Sequence, residues 1–277
     1  MKLFDWMDNE RWLADIPAYG ERTLNNAVLT TLATSRPDGF WSDDLSWFPQ
    51  NAADCELDRQ FASYYTHIRA YHACRPTDVG SYLQHGLLGQ NRALIESSFR
   101  SIFSDVDEAL MERAIDAMDS RGNHENGKIY FSCDSHELVE YCDHYLLQGS
   151  EYLMALAARL CEYNPGLEDY RLRLRRTGIP TVFEVGIPVE QIPVPQRHGL
   201  MKSIISAWAY HHLAPNEDTG DTMRFVLHSD LAPQNIMSHF HPASIPDPHF
   251  GRQPVKTETT RCDYCPRSGE PNSPVDV

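Results

Sequence analysis

The apolar positions of this chain change period several times, and each change marks an element. Short helical stretches at Glu10–Leu13 and Leu24–Leu32 open the sequence, followed by the turn residues Arg36-Pro37-Asp38-Gly39. Tyr64–Ala73 is aromatic and β-branched, which predicts a strand. Asp78 then offers an N-cap to a short helix with Val79, Tyr82 and Leu83 on its apolar face and Gly86 at its end. Over 92–119, apolar residues fall at Leu94, Ile95, Phe99, Ile102 and Phe103, then at Val106, Leu110, Met111, Ile115 and Met118. That spacing predicts a helical pair divided near Ser104, which with Asp107 makes a capping-box-like start. Asn126-Gly127 marks a turn before the strand Lys128–Cys133. Asp134 and Glu137 open a long helical region to about Tyr163, with a break at Gly149, and a third helix runs roughly from Leu167 to Arg176, stopped by Gly178. Thr181–Ile192 reads as a strand and turn, Leu200–His212 as an amphipathic helix and Met223–His228 as a strand. From Ser238 onward proline is dense and periodicity weak, which predicts a wrapped or partly ordered tail.

This order of elements is that of an α+β chain, not the regular alternation of a doubly wound sheet. It predicts an irregular, helical N-terminal layer over 1–60, a main domain over 61–240 with a helical insertion at 92–122, and a Pro-rich tail over 241–277. No internal repeat is present. Neither a Gly-x-Gly-x-x-Gly nor a P-loop sequence occurs, which removes the two commonest nucleotide-binding readings.

Charge narrows the partners. With 39 acidic against 24 basic side chains the net charge is −15, so bulk nucleic acid and anionic membranes repel the chain and non-specific coating is excluded. The one basic cluster, Arg171, Arg173, Arg175 and Arg176, reads either as a solvated helix face or as a phosphate-contacting patch. No run approaches the roughly 18 apolar residues that span a bilayer. Charges within the first dozen residues interrupt the place of a signal-peptide core. Seven cysteines, single except for Cys262 and Cys265, form no disulfide framework, and a reducing cytoplasm is the expected location.

Three segments carry candidate chemistry. In residues 70–88 a histidine, His72, leaves the end of a strand, and a short helix and the turn Gly86-Leu87 follow. In residues 126–142 a turn leads to a strand bearing Tyr130 and Phe131, then to a helix bearing Tyr141. In residues 223–236 a strand runs into Leu231-Ala232-Pro233-Gln234. Together they resemble the ADP-ribosyltransferases of the diphtheria-toxin and poly-ADP-ribose-polymerase branch. The first motif of that branch is His-Gly-Ser-Arg with a Gly-Leu about fourteen residues on; here His72-Ala73-Cys74-Arg75 precedes Gly86-Leu87. The second is Gly-Ile-Tyr-Phe with a tyrosine eleven residues after the first, matched by Lys128-Ile129-Tyr130-Phe131 and Tyr141. The turn at Leu231 looks like the branch's Ile-Pro-Pro-Glu.

The resemblance covers about 64–240. It implies a split, mixed or antiparallel sheet with flanking helices, NAD⁺ as substrate, and a cofactor site of His72, Ala73, Arg75, Tyr130, Phe131 and Tyr141. Two tyrosines can sandwich a pyridinium, whose charge the aromatic faces attract. The Ala73 backbone would hold the carboxamide, and His72 a ribose hydroxyl. A carboxylate would stabilise the cation that develops on the ribose. The resemblance fails at that carboxylate: the family's glutamate position falls on Arg224, and no acid follows on the strand until Asp230. Glu184, on a strand, and Glu151, on the helix after Tyr130, are the candidate substitutes.

The implied activity is mono-ADP-ribosylation of a macromolecular acceptor, protein or nucleic acid, by a toxin-like or phage-defence effector controlled by an antitoxin or other inhibitory partner. Polymer formation is disfavoured without the glutamate. A degenerate member used as an interaction module is the non-enzymatic alternative. A separate reading comes from the tail, where His239, His241 and His249 precede Cys262-x-x-Cys265: imidazole and thiolate suit tetrahedral zinc, with His239, His241, Cys262 and Cys265 as ligands. A zinc-stabilised nucleic-acid adaptor is the third class of function open to the chain.

Overall fold

The computed structural model describes residues 1–35, 37–118, 125–166, 168–217, 221–257 and 262–265. Arg36 of the first predicted turn, Leu167 at the predicted start of the third helix, the end of the insertion at 119–122 and the tail at 258–261 and 266–277 lie outside them. Strand β1 (Leu3–Phe4) and helices α1 (Asn9–Tyr19), α2 (Asn26–Ser35) and α3 (Ala53–Tyr64) precede β2 (His67–Cys74) and α4 (Val79–His85). Then come α5 (Arg92–Ile102), α6 (Glu108–Asp116), β3 (Ile129–Ser132), α7 (Ser135–Tyr141), α8 (Asp143–Gln148), α9 (Glu151–Tyr163) and α10 (Tyr170–Leu174). The chain continues through β4 (Thr181–Pro188), α11 (Val194–Leu213), β5 (Arg224–Leu227), β6 (Ile236–Phe240), β7 (Ser244–Asp247) and β8 (Gln253–Lys256). Among the described residues the main sheet has the order β5-β3-β2-β4-β6, with β1 parallel to β2, and β7-β8 is a separate hairpin. The architecture is α+β. No helix of the described residues is long and apolar enough to cross a membrane.

The chain divides into two units. One comprises 1–70, 132–134 and 186–225. Its core is aromatic: the Phe4 ring meets Phe61 and Tyr65 edge-on at 5.0 and 5.3 Å. α3 carries Leu57 and Phe61, both fully buried, and packs on α1 and α11. Arg197 of α11 forks onto Asp58 of α3 with bonds of 2.9 and 3.0 Å, the bidentate geometry that gives a guanidinium–carboxylate pair its strength. α3 is absent from the sequence reading because its buried stripe has only two large apolar residues, Leu57 and Phe61, beside Ala53 and among charged neighbours.

The other unit comprises 71–131, 135–185 and 226–277. Its helical insertion buries Phe99, Phe103 and Met111 against Leu156, Leu160 and Tyr170 of α9 and α10. The pair divides at 103–107, with Ser104 in the break as expected, and Asp107 caps α6, accepting from the Ala109 and Leu110 amides. The long helical region breaks at Gly149, where φ is +91°, and also at Cys142, between α7 and α8. The tail departs from expectation over 236–257. β6 pairs antiparallel with β4, and β7-β8 buries Ile245 completely. Pro246 and Pro254 face each other across that hairpin, so the residues that masked its periodicity sit where neither amide is needed by its partner.

Candidate functional site

Three stretches of the second unit that are distant in sequence are tied together by backbone. β2 and β3 meet where His72 Nδ1 lies 2.9 Å from the Tyr130 carbonyl oxygen. The turn after α4 then pairs with the turn after β5: Leu87 and Leu231 exchange both backbone bonds at 2.9 Å, and the Gly89 amide donates to Asp230 at 2.8 Å. The same turn reaches the start of β3, with Gly127 N donating to Gln90 O at 2.8 Å and Gln90 N to Lys128 O at 3.1 Å. Gly86 makes this approach possible: its φ is +83°, and a Cβ there would overlap the Leu231 carbonyl. All three segments singled out in the sequence are therefore joined.

Beside this junction lies a cavity of about 240 Å³ walled by Tyr130, Tyr145 and Tyr152, with Arg92, Glu125 and Glu151 among its polar residues. Whole-ligand pockets run to roughly 300–1,000 Å³, so this one suits a single ring of a larger molecule. The strand pleat explains why Tyr130 reaches it. Phe131 packs against the His72 ring at 5.7 Å, and Tyr130, one position earlier, points to the opposite face. The Tyr130 hydroxyl donates to Glu125, and burial, reinforced by Glu125 and Glu151, raises its pKa to about 12. Ser150 caps α9 through the Leu153 amide and so sets Glu151 in the first turn, where the helix dipole favours a carboxylate. Glu151 Oε1 lies 3.3 Å from His144 Nε2 while the Glu151 side chain stays 68% exposed. Tyr152 and Arg92 both hold Glu96, at 2.6 Å each.

The structure thus brings Tyr130 and Glu151 together and places the other expected residues elsewhere. Tyr141 does not line the cavity; it is 70% exposed, with the Arg252 guanidinium 5.7 Å above its ring, and Tyr145 supplies the second aromatic wall. Glu184 accepts from Ser238 Oγ at 2.6 Å across the β4–β6 pair, two strands away from β3. Arg224 is exposed on β5. Ala73 is buried in a cluster with Leu138, Leu147 and Ile245. Arg75, expected at the cofactor, is corrected to a clamp: its guanidinium donates to the carbonyls of Thr177 at 2.7 Å, Leu146 at 2.9 Å and Arg175. Cys74 is no nucleophile, since burial pushes its thiol up to about 12. Three residues of the basic cluster are ion-paired: Arg171 with Asp169, Arg173 with Asp105 and Glu168, and Arg175 with Asp247.

Burial holds the His72 pKa below the ordinary histidine value, the Tyr130 carbonyl opposing it only in part. The unfolded chain therefore takes up a proton that the folded chain refuses. The stability that depends on neutral His72 is complete above about pH 6.5 and is lost as pH falls through that value. Denaturant midpoints of the wild type should accordingly drop between about pH 7 and pH 5, and those of His72→Gln should drop less. Parallel pH curves for the two proteins would remove His72 as the source.

A second cluster lies on β6 and the tail. His239, His241, Cys262 and Cys265 each offer a ligand atom, and these four atoms all lie within 4.8 Å of one another. His249 is not among them; its ring nitrogen lies 3.3 Å from the Met154 sulfur. No protein-family model, curated protein or solved structure matches the chain.

Proposed function

We propose that the chain is a mono-ADP-ribosyltransferase that cleaves the nicotinamide–ribose bond of NAD⁺ and passes ADP-ribose to a macromolecule. One observation carries the reading: the three motif segments are knit by backbone pairing beside a cavity that holds Tyr130 and a carboxylate, Glu151. Nicotinamide enters between Tyr130 and Tyr145, whose faces attract its positive ring. As the bond from ribose C1′ to the ring nitrogen breaks, its electron pair neutralises the pyridinium and the positive charge passes to the ribose. Glu151 stabilises that charge. The acceptor nucleophile then bonds to C1′ and gives its proton to solvent. His72 donates its Nδ1 hydrogen to the Tyr130 carbonyl and packs against Phe131 on the other face of β3, so in this reading it positions the strand and does not meet the ribose.

In this reading the substituted glutamate position, Arg224, restricts the enzyme to single transfers. Its place is that of a toxin-like or defence-type effector under an inhibitory partner. Exposure of Arg224 and Tyr141 favours the second reading, a scaffold that binds without turnover. The two separate in one experiment: radiolabelled NAD⁺ is incubated with the protein and a whole-cell extract, and the products are digested separately with protease and nucleases. Macromolecular label that depends on Tyr130 is expected, and the digestion that releases it identifies the acceptor. Absence of NAD⁺ consumption overturns the enzymatic reading.

A further inference from the structure

The cluster of His239, His241, Cys262 and Cys265 has the dimensions of a metal site. A tetrahedral zinc ion with sulfur ligands at about 2.3 Å and nitrogen ligands at about 2.0 Å sets its sulfurs about 3.8 Å apart and each sulfur about 3.5 Å from a nitrogen. Here the two Sγ atoms are 3.7 Å apart and His239 Nε2 is 3.2 Å from Cys262 Sγ. A disulfide would hold the sulfurs at about 2.05 Å, and both cysteines are free. His241 adds an independent sign. Its Nδ1 hydrogen goes to the Pro180 carbonyl at 2.9 Å, which fixes the tautomer and turns the lone pair to Nε2. That Nε2 is buried and has no hydrogen-bond partner. A backbone carbonyl on one ring nitrogen and an unsatisfied lone pair on the other is the arrangement that orients a metal-bound histidine.

We propose that these four residues bind a structural zinc ion, independently of the reading given to the Tyr130 cavity. Two thiols lose their protons on binding, so the two thiolates neutralise the ion and the site carries no net charge. All four positions are filled by protein, which leaves no open position for water or substrate and makes the site structural. Its work is local. The ion joins β6 to the short segment 262–265, and Tyr264 between the two cysteines lies so close to Gly80 that a Cβ there would come within 2.8 Å of its ring. The metal therefore presses the tail against the first turn of α4, the helix that leads to the Gly86-Leu87 turn.

The test uses the full chain purified without chelator. Elemental analysis should find about one zinc per chain, and replacing it with cobalt(II) should give thiolate-to-metal charge transfer with the strong visible bands of a tetrahedral site. Cys262→Ser and His241→Ala should each lose most of the metal. Cys55→Ser should keep it; Cys55 belongs to a separate group with Asp54 and His198. Protein without zinc that gives no tetrahedral spectrum on adding cobalt(II) overturns the proposal, and so does metal that follows Cys55. The cobalt spectrum of the wild type decides the matter even where a variant fails to fold.

Discussion

Glu151→Gln should lower the rate of NAD⁺ cleavage roughly a hundredfold while leaving KM for NAD⁺ almost unchanged. The substitution keeps the size and one hydrogen-bonding oxygen of the side chain and removes only its charge. Charge is what a developing ribose cation responds to, and the ground-state substrate feels much less of it at that position. Glu151 suits this role because it lines the same cavity as Tyr130, sits in the first turn of α9 and stays open to solvent. Glu184 lacks each of these features: it does not line the cavity, and its carboxylate accepts from Ser238 on the neighbouring strand. Glu184→Gln should therefore retain activity within about twofold. Single-turnover measurement on both variants checks the pair. Full activity in Glu151→Gln, with loss in Glu184→Gln, would move the reacting centre to the β4 side of the sheet.

Of the two candidate carboxylates, Glu184 and Glu151, only Glu151 lines the cavity, and sequence patterns alone do not separate them. Local signals read correctly: Asp78 caps α4, Gly86 ends it, and the paired apolar stripes of the insertion become α5 and α6. These depend on neighbours within a turn, and capping and periodicity act at that range. The spacing of Tyr130 and Tyr141 was equally legible, but spacing does not say which way the last residue of α7 faces. The chain bends at Cys142 without a glycine, a proline or a side-chain cap to announce it. Tyr141, before that bend, is exposed, and Tyr145, after it, lines the cavity. Glu125 could be suspected only from its place beside the Asn126-Gly127 turn. The pairing of Leu87 with Leu231 is a contact between backbones far apart in the chain, and no side-chain pattern encodes it. The tail cluster of His239, His241, Cys262 and Cys265 was legible as residue types in the sequence, and the structure brings their four ligand atoms within 4.8 Å of one another.

Arg75→Met should destabilise the fold by roughly 3–5 kcal/mol, the largest loss expected from any single side chain outside the apolar cores. Its guanidinium is half-buried and donates to three backbone carbonyls: Leu146 at the end of α8, Arg175 just past α10, and Thr177 in the turn that leads to β4. Met offers these oxygens no donor. Each carbonyl left unsatisfied in the interior costs about 1–3 kcal/mol, and the three share one donor, so the losses do not simply add. Burial and the nearby charge of Arg175 lower the Arg75 pKa to about 10, which still leaves it protonated at neutral pH. The clamp is thus a charged fork on neutral acceptors, a geometry that Lys cannot copy because its ammonium is a point on a flexible stem. Arg75→Lys should fall between the wild type and Arg75→Met. Denaturant unfolding of the three proteins gives the order directly. A residue placed there to meet a ligand phosphate would behave in the opposite way: Arg75→Met would unfold within about 0.5 kcal/mol of the wild type and lose only its affinity for NAD⁺. That outcome would return Arg75 to the cofactor site and break the link between β2 and the α8–α10 region on which the geometry of the Tyr130 cavity depends.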